Sequence, residues 1–338
     1  MILILSQERE LSTDKVIEWL DFQKVRYLRV NRLDDVILKR MELSRDQSDC
    51  ELQVNDRQIT LKDVSCFWYR RGYLNVAYSA EELQSESDLS AKLNRFLDDE
   101  HRKVLENLYF FLKDINHFGS FLDNDLNKLQ NLKMAVAEGL RIPTTIITSS
   151  KEELKNFCAK HDAVITKPIF ETRIIDSDHK RYYGYTNEIN TEILEALPET
   201  FTVSLFQEKI EKRFEIRSFY LDGKFFSTAI FSQLDQQTQV DFRVYNDAKP
   251  NRVVPYQLPT KLEENLRAFM QKCDYRTGSI DLIATENDFV FLEVNPIGQF
   301  QQVSLPGNYQ LHREIATQLC KANRSKLSET VRTAPVTI

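Results

Sequence analysis

The stretch GSIDLIATENDFVFLEVNP, residues 278–296, decides how this chain is read. Two apolar runs, 278–284 and 289–295, flank the polar tetrapeptide Thr285-Glu286-Asn287-Asp288, a pattern that predicts a β-hairpin. Strand side chains alternate between faces, so Glu293 and Asn295 share one face while Val290, Leu292 and Val294 point into a core. Asp281, between Ile280 and Leu282, is the polar residue of the preceding strand. Folding the hairpin brings Asp281, Glu293 and Asn295 to one surface. Two carboxylates and an amide oxygen form a hard-oxygen set suited to Mg²⁺, which bridges substrate phosphates. The alternative is a row of edge-strand polar residues facing water.

Upstream, LFQEKIEKRFEIR (205–217) puts Gln207, Glu208, Lys209, Ile210 and Glu211 at a strand end and Arg217 inside the next hairpin. That hairpin is marked by Asp222-Gly223 between FEIRSFYL and KFFSTAIF. Glu208 and Glu211 can accept from a ribose or an amine, and Arg217 can fork onto a phosphate or carboxylate. A solvated charged face is the plainer reading. Lys167 ends the apolar strand AVITKP, where a cation calls for an anion. Lys128 stands early in a helix that DNDLNKLQ opens and Gly139 closes. Each is otherwise an ordinary surface lysine. A strand at 144–148, a helix capped by Ser149 or Ser150, a polar loop at 170–180 and a helix at 260–272 complete this half.

The N-terminal part alternates strands at 2–5, 25–30 and 64–69 with a helix ending at 22, which is β-α-β character. A long helix over 80–113 closes it. The expected fold class is mixed, an N-terminal α/β domain (1–115) followed by α+β lobes at 116–200 and 201–325, with a last helix at 309–322 and a frayed tail at 326–338. Arg70 and Arg71 end the strand at 64–69, on the sheet edge where a ligand crevice is expected. They suit an acidic peptide side chain, or an internal salt bridge. Lys180 and Arg181, beside Tyr182, Tyr183 and Tyr185, suit a bound peptide segment, or a strand packing on its own domain.

Composition removes several classes. Only 8 of 338 residues are glycine, at 72, 119, 139, 184, 223, 278, 298 and 307. None lies near enough to another for a G-x-G-x-x-G turn, a Walker A loop or a G-x-S-x-G elbow, so any phosphate is held by side chains. The net charge of −6, without a long basic run, argues against nucleic acid as the main partner. Five scattered cysteines fit a reducing cytoplasm rather than a disulfide framework or a zinc site. No apolar run is long enough to span a membrane, and the start reads as a strand rather than a signal peptide.

In this order, Lys128, Lys167-Pro168, QEKI, EIR, SID and EVNP resemble the ATP-grasp ligases over about residues 116–320. The flanking CFWYRRG (66–72), GLRIPTTIIT (139–148), YGYTNEI (183–189) and EVNPIGQFQ (293–301) are more narrowly similar to the maturases of microviridin-type graspetides, in particular the grasp-with-spasm branch. The resemblance implies an ATP-grasp fold behind a pre-ATP-grasp domain, with ATP and Mg²⁺ as cofactors. It assigns Lys128 and Lys167 to phosphates, Gln207–Ile210 to an adenine-binding hinge, Glu211 or Lys212 to the ribose side, and Asp281, Glu293 and Asn295 to Mg²⁺. Arg217 would hold the γ-phosphate or acyl phosphate, as would Arg243 of the DFR triplet (241–243). Its partner would be a ribosomal precursor peptide, leader plus core, with the leader held near 170–190. A homodimer is one arrangement open to it.

The implied activity joins Asp or Glu side chains of that peptide to Thr, Ser or Lys, as macrocyclic esters or amides. The alternatives are a ligase adding an amino acid to a protein or small acid, and an ATP-binding regulatory module without turnover. The family's loop after Lys167-Pro168 often contains glycine, whereas this chain reads IFETRIIDSDHKR.

Overall fold

The computed structural model describes residues 1–45, 48–77, 88–124, 127–170, 174–177, 180–183, 186–232 and 251–333. They fall into two compact units, Met1–Asp125 with Gln310–Ile338, and Leu126–Tyr309.

The first unit runs β1 (Ile2–Leu5), α1 (Leu11–Phe22), β2 (Tyr27–Val30), β3 (Val36–Leu43), β4 (Ser48–Val54), β5 (Arg57–Thr60), β6 (Cys66–Tyr69), α2 (Asp88–Asp114) and β7 (His117–Phe118). Four of its strands form a parallel sheet in the order β2-β1-β6-β7. ILIL in β1 and CFWY in β6 are buried at every position, the signature of parallel strands covered on both faces. The antiparallel meander β3-β4-β5 has no counterpart in the sequence reading. Charged Lys39, Arg40 and Glu42 interrupt the apolar pattern of β3, and its pairing with β4 carries a bulge. The turn into β5 is closed by Asn55 in the left-handed region, φ 50°.

The second unit opens with α3 (Lys128–Ala137), capped by the Asn127 side chain, which accepts from the Leu129 and Gln130 N–H groups. The cap is therefore not the 123–125 cluster expected from sequence. Then come β8 (Thr145–Ser150), α4 (Lys151–Cys158), β9 (Val164–Lys167), β10 (Ile174–Ser177), β11 (Lys180–Tyr183), β12 (Asn187–Glu188), α5 (Thr191–Ala196) and β13 (Thr200–Glu208). A four-stranded antiparallel sheet forms in the order β12-β9-β13-β8. β10 and β11 pair with each other, so part of the segment read as a loop is strand. Since β13 joins β8 and β9, the expected lobe border at 200/201 moves to the connection 209–213.

Beyond it lie β14 (Phe214–Leu221), β15 (Lys224–Phe231), β16 (Arg252–Tyr256), α6 (Thr260–Lys272), β17 (Thr277–Ala284), β18 (Phe289–Asn295) and α7 (Gln301–Gly307). The strands form one antiparallel sheet, β16-β15-β14-β17-β18. Asp222 and Gly223 both take positive φ, 46° and 93°, as the tight hairpin turn demands. Leu132 and Ala135 of α3 and Leu266, Phe269 and Met270 of α6 cover one face, against Ile216, Tyr220, Ile280, Leu282, Phe291 and Val294. On the other face Phe219 packs on Phe300, with ring centroids 5.6 Å apart. The last helix, α8 (Leu311–Thr333), returns to the first unit and packs on α1. It runs through the expected end of the last lobe at 325 and over 326–333 of the tail expected to fray.

Candidate active site

Strands β14, β15, β17 and β18 of the large sheet and the ends of β9 and β13 of the small one surround a cavity of about 620 Å³ within the second unit. That volume suits a nucleotide-sized ligand. Lys128, Lys167, Gln207, Glu208, Lys209, Ile210, Glu211, Arg217, Asp281 and Glu293 all line it. These residues span 166 positions of sequence and converge because of strand register.

Arg217 of β14 stands opposite Asp281 of β17, and Asp281 stands opposite Glu293 of β18. Arg217 Nε lies 3.7 Å from Asp281 Oδ1, and Lys128 Nζ, from the first residue of α3, lies 3.0 Å from Glu293 Oε2. The row thus reads cation, carboxylate, carboxylate, cation. Like charges directly opposite on neighbouring strands repel, and the flanking cations offset this. Arg217 Nε is buried and makes no hydrogen bond among the described residues. A buried donor without an acceptor costs roughly 1–3 kcal/mol, so an incoming anionic oxygen is its natural partner.

The strict alternation expected of β18 fails at one point. The register shifts between Asp281 and Leu282, which pairs with Phe291, leaving Leu292 as the extra residue of a bulge. Phe291, not Leu292, is the core residue, and Leu292 lines the cavity beside Glu293. Asn295 is exposed and its Oδ1 accepts from the Ile297 N–H at 3.0 Å; it does not line the cavity.

The connection 209–213 forms the other wall. Gln207 is buried and its Nε2 donates to Thr145 Oγ1 at 2.9 Å. Glu208 accepts from the Thr144 N–H at 2.9 Å and lies 3.4 Å from His161 Nδ1. These contacts hold the strand end. Lys209 Nζ pairs with Glu188 at 2.5 Å. Among the described residues the Ile210 and Glu211 N–H groups make no backbone hydrogen bond. An extended hinge with open N–H groups suits the edge of a nucleobase.

Lys212 and Glu215 form an ion pair in the cavity wall with side chains 9 % and 10 % exposed. Glu215 escaped the sequence reading, although its spacing from Arg217 in EIR puts both on one strand face. Among the described residues five cationic and six anionic side chains line the cavity, so a polyphosphate there calls for further positive charge. Asp281 and Glu293, opposed across one pair of strands, fit a divalent cation. Among the described residues no group of three or more His, Cys, Asp or Glu side chains is arranged to hold a metal.

The remaining candidates lie elsewhere. Arg70 is buried in the first unit, its Nε donating to Ser12 Oγ at 3.2 Å and its Nη2 lying 3.6 Å from Glu10. Burial pulls its guanidinium down to about 10, against the pull of Glu10. Arg71 Nε, half exposed, lies 3.9 Å from the same carboxylate. Glu10 in turn caps α1 through the Thr13 N–H at 2.7 Å, so the crevice expected at this sheet end is occupied by the unit's own helix cap. Lys180 and Arg181 pair in register with Ser177 and Asp176 across the β10–β11 ladder. Arg243 lies outside the described residues.

No protein-family model matches the chain, and no curated protein matches it. Solved structures do. A RiPP-associated ATP-grasp ligase of Chryseobacterium gregarium, in complex with ADP and a leader and core peptide, superposes with a TM-score of 0.76 at 26% identity, over 95% of this chain and 96% of that one. This is the ATP-grasp ligase fold. The macrocyclase MdnC of Microcystis aeruginosa, bound with its precursor peptide MdnA, shares it at a TM-score of 0.70 and 24% identity, over 95% of this chain and 99% of that one. So does the ATP-grasp ligase PsnB, complexed with precursor peptide PsnA2 and AMPPNP, at 0.69 and 14%, over 96% and 98%. The resemblance drawn from the EVNP hairpin and its flanks is thus met along nearly the whole chain, the N-terminal unit included.

Proposed function

We infer that the chain is an ATP-dependent ligase that activates Asp or Glu side chains of a ribosomal precursor peptide and joins them to hydroxyl or amine side chains as macrocyclic esters or amides. The observation that carries this reading is the row Arg217–Asp281–Glu293–Lys128 in one cavity with an open hinge. The likeness to a ligase holding ADP with leader and core peptides supports the substrate class. Neighbouring PsnB, complexed with a minimal precursor, Mg and ADP, supports the cofactors.

In this account Ile210 and Glu211 receive the adenine edge, and Lys128 and Lys167 meet the phosphates. Asp281 and Glu293 would hold Mg²⁺, and Asn295 Oδ1 would have a second lone pair to offer while capping Ile297. Bound there, Mg²⁺ would supply positive charge to offset that of the nucleotide's phosphates. A peptide carboxylate oxygen attacks the γ-phosphorus and ADP leaves, giving an acyl phosphate. A hydroxyl or amine then attacks the acyl carbon, loses its proton and expels phosphate. Attack of one anion on another is the barrier, and Arg217, with its open Nε, lowers it at the transferred phosphoryl group. Arg243 joins Arg217 in that role, and Lys180 and Arg181 contact the leader. The five free cysteines support a cytoplasmic setting. Among the described residues no helix is long and apolar enough to cross a membrane.

The test is ADP release with ATP, Mg²⁺ and a set of leader-bearing peptides carrying acidic and Thr, Ser or Lys core residues, read together with product mass. ADP formation that requires a peptide and accompanies loss of one water per linkage is expected. ADP release indifferent to every peptide, with free amino acids as acceptors, would overturn the reading.

A further inference from the structure

The geometry points to Lys128 as a built-in counter-ion that guards the cation site until a nucleotide arrives, so that nucleotide and divalent cation bind cooperatively. This rests on the nucleotide reading of the cavity. Lys128 opens α3 and reaches across to β18, where its Nζ sits 3.0 Å from Glu293 Oε2. The partner carboxylate Asp281 is matched in the same way by Arg217 at 3.7 Å. Without a ligand, the repelling carboxylate pair is therefore neutralised by the protein's own side chains.

Two consequences follow from charge alone. Lys128 has to leave Glu293 before that carboxylate can take a divalent cation, and as it pairs with no other anion among the described residues the exchange forfeits an ion pair. A nucleotide phosphate beside α3 supplies the missing acceptor, and Lys128 then leaves Glu293 without loss. Coupling of this kind is reciprocal, so each ligand strengthens the other. Side chains 27 % and 26 % exposed allow Lys128 to swing between the two acceptors without unpacking a core.

Direct metal–phosphate contact also produces cooperativity, so the test uses each ligand alone. Mn²⁺ binding is measured by electron paramagnetic resonance without nucleotide, and ADP binding by calorimetry in chelator. Lys128→Met is expected to bind Mn²⁺ about five- to tenfold more tightly than wild type, the worth of one charge-assisted contact. Lys128→Arg, which keeps the charge, stays near wild type. In chelator, Glu293→Gln frees Lys128 and binds ADP several-fold more tightly than wild type, but gains little in the Lys128→Met background. Equal Mn²⁺ affinity for wild type and Lys128→Met overturns the proposal even where ADP binds normally. Failure of ADP to bind wild type, with or without Mn²⁺, overturns instead the nucleotide reading beneath it.

Discussion

Arg217, Asp281 and Glu293 come from three neighbouring strands and owe their meeting to two register pairs, Arg217 with Asp281 and Asp281 with Glu293. Their alignment makes each replaceable without loss of the core built with α3 and α6, which lies on the opposite face. Asp281→Asn and Glu293→Gln are expected to lower turnover at least a hundredfold while the melting temperature holds, checked by ADP release and calorimetry. Arg217→Lys should lose a comparable factor, because an ammonium cannot reproduce the planar fork at Nε. Asp281 and Glu293 were legible in the sequence because a charged residue in an apolar strand is conspicuous. Glu215 was overlooked because KRFEIR looks like a solvated charge run, whereas in the structure it is buried in β14 and paired with Lys212. For Arg70 the structure shows the internal salt bridge, one of its two readings, which the sequence could not single out. Its partner Glu10 lies 60 positions away and no local pattern announces the pair.

Among the elements, the hairpin β17–β18 was legible to within one residue because two apolar runs and a four-residue turn leave little choice. Its bulge was not. A one-residue register slip leaves the sequence unchanged in period and shows only in pairing. The turn after β18 sets how closely the chain returns to β17. A Cβ on Gly298 would fall 2.3 Å from the Ser279 side chain and 2.7 Å from its backbone nitrogen. Gly298→Ala should therefore destabilise by roughly 1–3 kcal/mol and shift β17 beneath Asp281. A fall in the urea midpoint accompanied by weaker Mn²⁺ binding checks this; unchanged values for both contradict the close approach. The meander β3–β5 and strand β10 stayed hidden because charged residues break the alternation that marks a strand.

The whole molecule divides where sequence alone could not place the border, because helix α8, which follows the second unit in sequence, belongs to the first and packs on α1. Amphipathic pattern tells that a helix has an apolar face, not which sheet or helix it covers. α8 also sets an acid limit on the first unit. Burial and nearby Lys15 hold the His312 imidazole below its ordinary value of 6.5, against the pull of Glu10. Its unfolded form therefore binds a proton first, and the stability it contributes is present above 6.5 and lost as pH falls through that value. For Glu10, burial acts upward, but Ser12, Arg70 and Thr13 together hold it below 4.5, adding a second loss on further acidification. The melting temperature should fall between neutral pH and 5.5, and His312→Gln should flatten that upper step.

The central claim, that a peptide carboxylate is activated by phosphoryl transfer in the Arg217–Asp281–Glu293 cavity, is tested most directly by following oxygen. A peptide substrate labelled with ¹⁸O in its Asp and Glu carboxyl groups is turned over with unlabelled ATP in unlabelled water, and the released phosphate is analysed by mass spectrometry. One ¹⁸O per phosphate, transferred from the carboxylate through the acyl phosphate, is the predicted result. Cross-linked product formed with no label in the phosphate would contradict it.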